Sequence, residues 1–247
     1  MDRSVVVTGA CGGIGRAVSA AFAEAGWYVI GVDLREPDDD RLYDRFEFAD
    51  VSAEGEVEDL FGRLSGLDRL DALVNNAAVQ VNKPIVQTTD DDWAHIVNTN
   101  VRSAFQCIRE AHDLLQTARG AVVNVSSVHA IATSVNVAVY AISKGALVAL
   151  TRSAALELAV DGIRCNAVLP GAVDTPMLRA GLARREHPDG PDGNLAELVS
   201  RTPIGFVATP EQIAPTVVHL ADTEQTPYIT GQMIVMDGGA TIRLGTE

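Results

Sequence analysis

Short β-branched runs alternate with helical patterns along the whole chain, and few architectures accept that order. Strands are expected at residues 4–8, 28–33, 46–49, 72–75, 121–126, 164–169 and 233–236. Helical periodicity falls between them, at about 14–25, 53–64, 90–116, 139–160 and 210–221. Such repetition builds a parallel sheet with helices on both faces. The runs "VVVTG", "DALVNN" and "AVVNVS" are apolar without alternation, as strands covered on both faces must be. The expected fold class is therefore α/β, with a doubly wound parallel sheet. A chain of 247 residues with no internal repeat and no linker forms a single domain over 1–247.

Two stretches break the rhythm. "REPDDD" at 35–40 reads as a solvated turn. The stretch 175–208, after the sixth strand, carries Pro188, Pro191, Pro203 and "HPDGPDG". It reads either as a lid insertion over a substrate or as a mobile surface insertion.

Charge and cysteine usage remove several function classes. A net charge of −14 opposes nucleic acid and anionic membranes as partners. Cys11, Cys107 and Cys165 are odd in number, without a CxxC pair or metal-ligand spacing. They read as reduced thiols of a cytoplasmic protein that binds no metal. The start "MDRSVVVTGA" lacks the basic leader and apolar stretch of a signal peptide. Residues 130–151 carry one charge, Lys144, but their Thr, Ser, Asn and Gly content argues against a membrane span. A helix apolar on nearly all sides is buried in a core or a subunit interface. The apolar helices at 90–116 and 139–160 therefore point to a homo-oligomer.

"TGACGGIG" follows the first strand and opens the first helix. Gly9, Gly13 and Gly15, with Gly12 in addition, let the backbone turn tightly and approach a pyrophosphate at a helix N-terminus. Gly9, Gly13, Ile14 and Gly15 are thus cofactor-binding positions of a Rossmann-type dinucleotide site. The second strand closes in "IGVDLR", placing Asp33, followed by Leu34, about twenty residues downstream, where a ribose-binding acid belongs. A carboxylate there accepts from ribose hydroxyls and repels a 2′-phosphate. Arg35 can reach a phosphate, but Asp33 stands closer to the ribose. The cofactor is read as NAD in preference to NADP.

Lysine is rare in this chain: seventeen arginines stand against Lys83 and Lys144. Lys144 lies four residues after Tyr140 in "VYAISKGALV", so both side chains share a helix face. A neighbouring ammonium favours the phenolate, and each unit of pKa is worth roughly 1.4 kcal/mol. A phenol lowered from its usual value near 10 becomes a usable general acid–base. An ammonium has three rotatable donors and serves two partners at once, where a guanidinium fits poorly.

With "TGACGGIG", "NNAA", "NTN", "NVSS" and "YAISK" in this order, the sequence resembles the short-chain dehydrogenase/reductase family in its single-domain form. The resemblance runs over essentially the whole chain, through "PGAVDTPM" and "ITGQMIVMDGG". It implies Tyr140 as the acid–base and Lys144 as its tuner, the lysine also bonding the nicotinamide ribose. It selects Ser127, thirteen residues before Tyr140, as partner of the developing alkoxide. It assigns Asn100, favoured over Asn98 by the position of Phe105, to hold a water for proton relay. Asp50 and Val51 flank the adenine, and Asn76 and Ala77 meet the cofactor. Pro170, Gly171, Val173 and Thr175 hold the carboxamide. The usual "NNAG" reads "NNAA" here, so Ala78 adds a methyl beside the cofactor. A homotetramer is also implied.

His129 follows Ser127 by two; it reads equally as a substrate contact or a solvent-facing loop residue. His95, His112 and His219 read as partly exposed helical residues. Cys11 is a small filler, or a thiol made acidic by a helix N-terminus. A substrate pocket is expected from Ser127, Val128, His129, Asn136, Tyr140, Met177 and Leu178, under a lid including His187. That mixed polarity points to a small polyol, sugar or cyclic alcohol. The expected activity is NAD-dependent interconversion of a secondary alcohol and a ketone. The rivals are a 3-oxoacyl-thioester reductase, disfavoured by Asp33 and the acidic charge, and a catalytically idle NAD-binding regulator, disfavoured by Tyr140 and Lys144.

Overall fold

All residues of β1 (Ser4–Thr8), β4 (Ala72–Asn75), β5 (Ala121–Val125) and β6 (Arg164–Pro170) are buried, as their unbroken apolar character requires. A computed structural model describes residues 3–243, the Asp40 side chain aside. With β2 (Tyr28–Asp33), β3 (Arg45–Phe48) and β7 (Met233–Met236), these strands form one seven-stranded sheet, ordered β3-β2-β1-β4-β5-β6-β7. Every pairing is parallel. Strand order reverses between β1 and β4, which opens a crevice beyond their carboxyl ends.

Two cores flank the sheet. On one face α1 (Gly13–Glu24) and α9 (Pro210–Ala221) bury Val18, Phe22, Val217 and Leu220 against Val5, Val7, Val74 and Val123. On the other, α2 (Glu56–Arg63), α4 (Ser103–Glu110) and α6 (Ala138–Glu157) pack Leu60, Phe61, Ile108 and Ala154 on Val6, Leu73 and Val122. Each large side chain so buried contributes roughly 1.5–3 kcal/mol before chain entropy is counted.

The strands lie within a residue of their expected bounds, but two helical regions differ. The single helix expected over 90–116 is broken into α3 (Asp90–Val97), a π-turn over Asn98–Arg102, α4 and α5 (His112–Ala118). Thr89 and Asp92 start α3 with a capping box. The following "NTN" turns its side chains onto backbone: Thr99 Oγ1 donates to the His95 carbonyl at 2.8 Å, and Asn100 bonds away from its own helix. The irregular stretch 175–208 is mostly helical, forming α7 (Pro176–Ala183) and α8 (Gly190–Arg201). Proline misleads as a breaker here, because Pro176 and Pro191 sit in first turns, where a missing N–H costs nothing. Buried Asn194 joins the two helices, its Nδ2 donating to the carbonyls of Leu182 and Arg185 at 3.0 and 2.9 Å.

Among the described residues no helix is long and apolar enough to cross a membrane. No group of His, Cys, Asp or Glu among them is arranged to hold a metal ion. Cys11, Cys107 and Cys165 are free thiols.

Candidate active site

The glycine loop lies in the crevice where strand order reverses. Gly9 has φ +64°, a left-handed conformation that favours glycine, and a Cβ there would fall 2.8 Å from the Ala77 Cα. A Cβ on Gly15 would lie 2.1 Å from the Gly9 carbonyl oxygen, and one on Gly13 2.8 Å from Thr175 Cγ2. The loop is therefore pressed between the end of β4 and the segment after β6. Asn76 and Thr8 fasten it. Asn76 Nδ2 donates to the carbonyls of Thr8 and Gly9, both at 3.0 Å, while the Asn76 and Ala77 N–H groups donate to Thr8 Oγ1. No side chain caps α1 and no acid lies in its first turn, so the N–H groups from Gly13 and Ile14 onward suit a phosphate.

Asp33 ends β2 and is buried. Its Oδ2 accepts the Cys11 N–H at 2.9 Å, and its Oδ1 accepts the Arg35 N–H at 3.0 Å. The acid expected at the ribose thus holds the glycine loop, a duty its sequence position did not reveal. Leu34 beside it is 68% exposed. Asp50 is exposed and accepts the Ser52 N–H and hydroxyl, while Val51 is buried in the core. Burial, then the charge of Asp33, pushes the Cys11 thiol up to about 11, which removes the reading of an activated cysteine. A cradle that a Cβ on Gly9, Gly13 or Gly15 would fill, closed by a buried acid, fits a nicotinamide dinucleotide.

Across the crevice, α6 brings up Tyr140 and Lys144, and both are buried. Lys144 Nζ lies 5.6 Å from the centre of the Tyr140 ring and donates to the Val125 carbonyl at 2.8 Å. Ser127, just past β5, is buried and accepts the His129 N–H at 3.2 Å. Ser126 instead donates to the Lys144 carbonyl, which leaves Ser127 for chemistry. The expected lowering of the phenol pKa is reversed. Burial pushes Tyr140 up to about 12, the Ser127 hydroxyl acting the other way, and pushes Lys144 down to about 7. Removing both groups from water outweighs their mutual influence.

Asn100 is 1% exposed, and its amide is fully used. Oδ1 accepts the Val79 N–H at 2.8 Å, and Nδ2 donates to the Val79 carbonyl at 2.9 Å and to Ser143 Oγ at 3.0 Å. Ser143 Oγ in turn donates to the Tyr140 carbonyl at 2.7 Å. Asn100, expected to hold a relay water, thus also ties the chain after β4 to the Tyr140 turn through its side chain. Ser143 went unremarked in the sequence, although a serine inside an apolar helix was its signal.

The remaining positions gather around this centre. Gly171 donates its N–H to the Met236 carbonyl at 2.9 Å, and a Cβ on it would meet Asp237 at 2.8 Å. Pro170 pairs with Met236, buried Val173 bridges Ala208, and Thr175 Oγ1 caps α7 by accepting the Leu178 N–H. Met177 and Leu178 thus stand in the first turn of α7, Met177 exposed. The His129 ring meets Tyr140 edge-on at 5.6 Å, and burial lowers its pKa; Nδ1 lies 3.0 Å from Thr133 Oγ1. Asn136 is exposed, with φ +66°, and its carbonyl accepts the Lys83 N–H. His187, expected in the lid, is spent on the α7–α8 connection: its Nδ1 accepts the Asp189 N–H and its ring fills the space left by Gly193. Two concavities of about 590 and 380 Å³ lie elsewhere, both lined by Thr202 and Gly239, and touch neither Ser127 nor Tyr140. Convergent reactive groups, rather than size, locate the chemistry in the crevice.

A family model described as enoyl-(acyl carrier protein) reductase matches residues 9–241. The chain is similar to dehydrogenase/reductase SDR family member 6 of Xenopus laevis, 36% identical over 243 residues and 96% of each chain. Its fold is similar to ligand-free aldohexose dehydrogenase of Thermoplasma acidophilum, with TM-score 0.93, 31% identity, and coverage of 100% of this chain and 96% of that one. It is also similar to a putative NAD(P)-dependent gluconate 5-dehydrogenase of Beutenbergia cavernae with NADP bound at low occupancy. There the TM-score is 0.89 and the identity 31%, over 98% and 97% of the two chains.

Proposed function

The chain belongs to the short-chain dehydrogenase/reductase family, and on that footing we propose that it interconverts a secondary alcohol and a ketone on a small polar substrate, with NAD as cofactor. The observation that carries this is that three buried reactive groups meet, the Ser127 hydroxyl bonding Tyr140 and Lys144 Nζ lying 5.6 Å from its ring. A bound nicotinamide supplies the hydride acceptor or donor. The Tyr140 phenolate oxygen takes the proton of the alcohol, and in the reverse direction the Tyr140 hydroxyl returns it to the ketone oxygen. Ser127 Oγ donates to that same oxygen and steadies its developing charge. Lys144 Nζ, anchored on Val125, changes protonation near neutral pH and so sets the charge beside the phenol. Asn100, tied to the Tyr140 turn through Ser143, would hold the water that relays protons to Lys144.

Gly9, Gly13, Ile14 and Gly15 would hold the pyrophosphate, Asp33 and Leu34 the adenosine ribose, and Asp50 and Val51 the adenine. Asn76 and Ala77, the Tyr140–Lys144 pair, and Pro170, Gly171, Val173 and Thr175 would hold the nicotinamide half. Asp33 supports NAD over NADP. The cations that could receive a 2′-phosphate are engaged: Arg35 with Asp33, and Arg16 with Asp38 at 2.9 Å. Ser127, Tyr140, His129 and Met177 would contact the substrate, with α7 and α8 as the lid. Free thiols support a cytoplasmic location. Phe105, Ile142, Leu156 and Val160, exposed on or just beyond α4 and α6, support a homotetramer. The test is a screen of secondary alcohols read by NADH absorbance, with Tyr140→Phe alongside. Turnover by the parent that the variant loses supports the reading; tight NAD binding without turnover across the panel would favour the idle regulator.

A further inference from the structure

We propose that Gln80 and Asn82 form a hydrogen-bonding wall that holds a second hydroxyl of an uncharged, polyhydroxylated substrate. This inference rests on the redox reading above and names the substrate class. Val79 is fixed to the catalytic helix through Asn100 and Ser143, so the chain leaving it runs beside the Tyr140 turn. Gln80 Nε2 donates to Asn82 Oδ1 at 2.8 Å. Asn82 Nδ2 in turn reaches toward α7, 3.8 Å from where a Cβ on Gly181 would stand. One residue on, the Lys83 N–H donates to the Asn136 carbonyl at 2.8 Å. Residues 79–83 therefore close the space between α6, α7 and the 129–136 segment.

The bond between the two amides leaves Gln80 Oε1 and the Asn82 Nδ2 donors without a protein partner. Both residues are half-buried and these amide groups keep access to solvent, so a bound hydroxyl would replace water on them. A substrate hydroxyl can donate to the first and accept from the second. Charge sharpens the class. Lys83, the only cation in 77–84, gives both its bonds to the Asp92 carboxylate, at 2.6 and 2.8 Å. Arg179, the only cation of α7, is held by Asp174 at 2.6 and 2.7 Å. Residues 127–137 contain no Lys or Arg. A carboxylate entering here would lose water and gain no counter-charge, against a chain of net charge −14.

The test compares a neutral cyclitol or aldose, the matching aldonic acid, and cyclohexanol, all as NAD-linked substrates of the full chain. The parent should prefer the neutral polyol to the acid. Gln80→Ala and Asn82→Ala should each cut kcat/KM on the polyol about tenfold, through KM, as expected for a lost hydrogen bond in a polar site. Both should leave cyclohexanol turnover unchanged. Asn82→Asp, which keeps the shape but removes the donors, should behave like Asn82→Ala. Variants that lower both substrates alike, variants that lower neither, or a parent preferring the aldonic acid would each overturn the wall while leaving the redox reading intact. A parent that oxidises none of the three would sink both.

Discussion

Lys144 points its amine at the Val125 carbonyl, 2.8 Å away, and stands 5.6 Å from the centre of the Tyr140 ring with no carboxylate bonded to it. A buried amine without a counter-charge is a liability to the fold, and burial brings its pKa from 10.5 down to about 7. The sign follows from linkage. Between those values the unfolded chain binds the proton and the native protein does not, so stability rises with pH across the window and is lost as pH falls toward 7. Lys144→Met should therefore melt higher than the parent at neutral pH, with the gain shrinking as pH approaches 10. Turnover of the variant should be lost. A melting point that drops equally at both pH values would show that the amine is not penalised by burial.

Asn100 works through Val79 and Ser143. Asn100→Ala leaves the N–H and carbonyl of Val79 without these partners, at a cost of about 1–3 kcal/mol for a buried group. The Tyr140 turn loses its brace, so kcat should fall more than KM rises. Chemical denaturation and steady-state kinetics on the same preparation check both effects.

The glycine loop gives a graded test of steric fit. A Cβ on Gly15 would sit 2.1 Å from the Gly9 oxygen, whereas one on Gly12 would lie at 3.2 Å, a contact that a small shift relieves. Gly15→Ala should cost about 1–3 kcal/mol of stability, as overpacked sites do, and weaken NAD binding sharply. Gly12→Ala should do little of either. Equal behaviour of the two in a fluorescence titration with NADH would contradict the close packing of this loop.

The proposed preference for NAD rests on Asp33. Asp33→Ser removes the carboxylate proposed to meet the ribose and frees Arg35, so the ratio of NAD to NADP affinity should move toward NADP by about tenfold or more. Part of the loss in NAD affinity should come from the released Cys11 N–H, and would appear as reduced loop protection in hydrogen exchange.

The sheet was readable because apolar runs such as "AVVNVS" have no second interpretation once helices separate them. The meeting of Tyr140 with Lys144 and the close packing of the glycines were readable because both depend on short spacings within the chain. What stayed hidden depends on distant partners. The brace at Asn100 was one such feature, since nothing local announces that its amide meets Val79. The helices α7 and α8 were masked by the prolines and glycines of 175–208, although Pro191 sits in a first turn, where a proline does not break a helix. The sign of the Tyr140 shift was missed because burial is a property of the fold, whereas the four-residue spacing to Lys144 is a property of the sequence. Gln80 and Asn82 belong to no pattern and emerge only when α7 stands opposite them.

The most direct test of acid–base redox chemistry at Tyr140 is NADH formation from secondary alcohols by the parent and by Tyr140→Phe, with NAD affinity measured on both. The parent should produce NADH, and the variant should bind NAD yet lose turnover by about 10²–10⁴-fold, the usual contribution of a general acid–base. A variant that keeps the parent's rate would contradict the assignment.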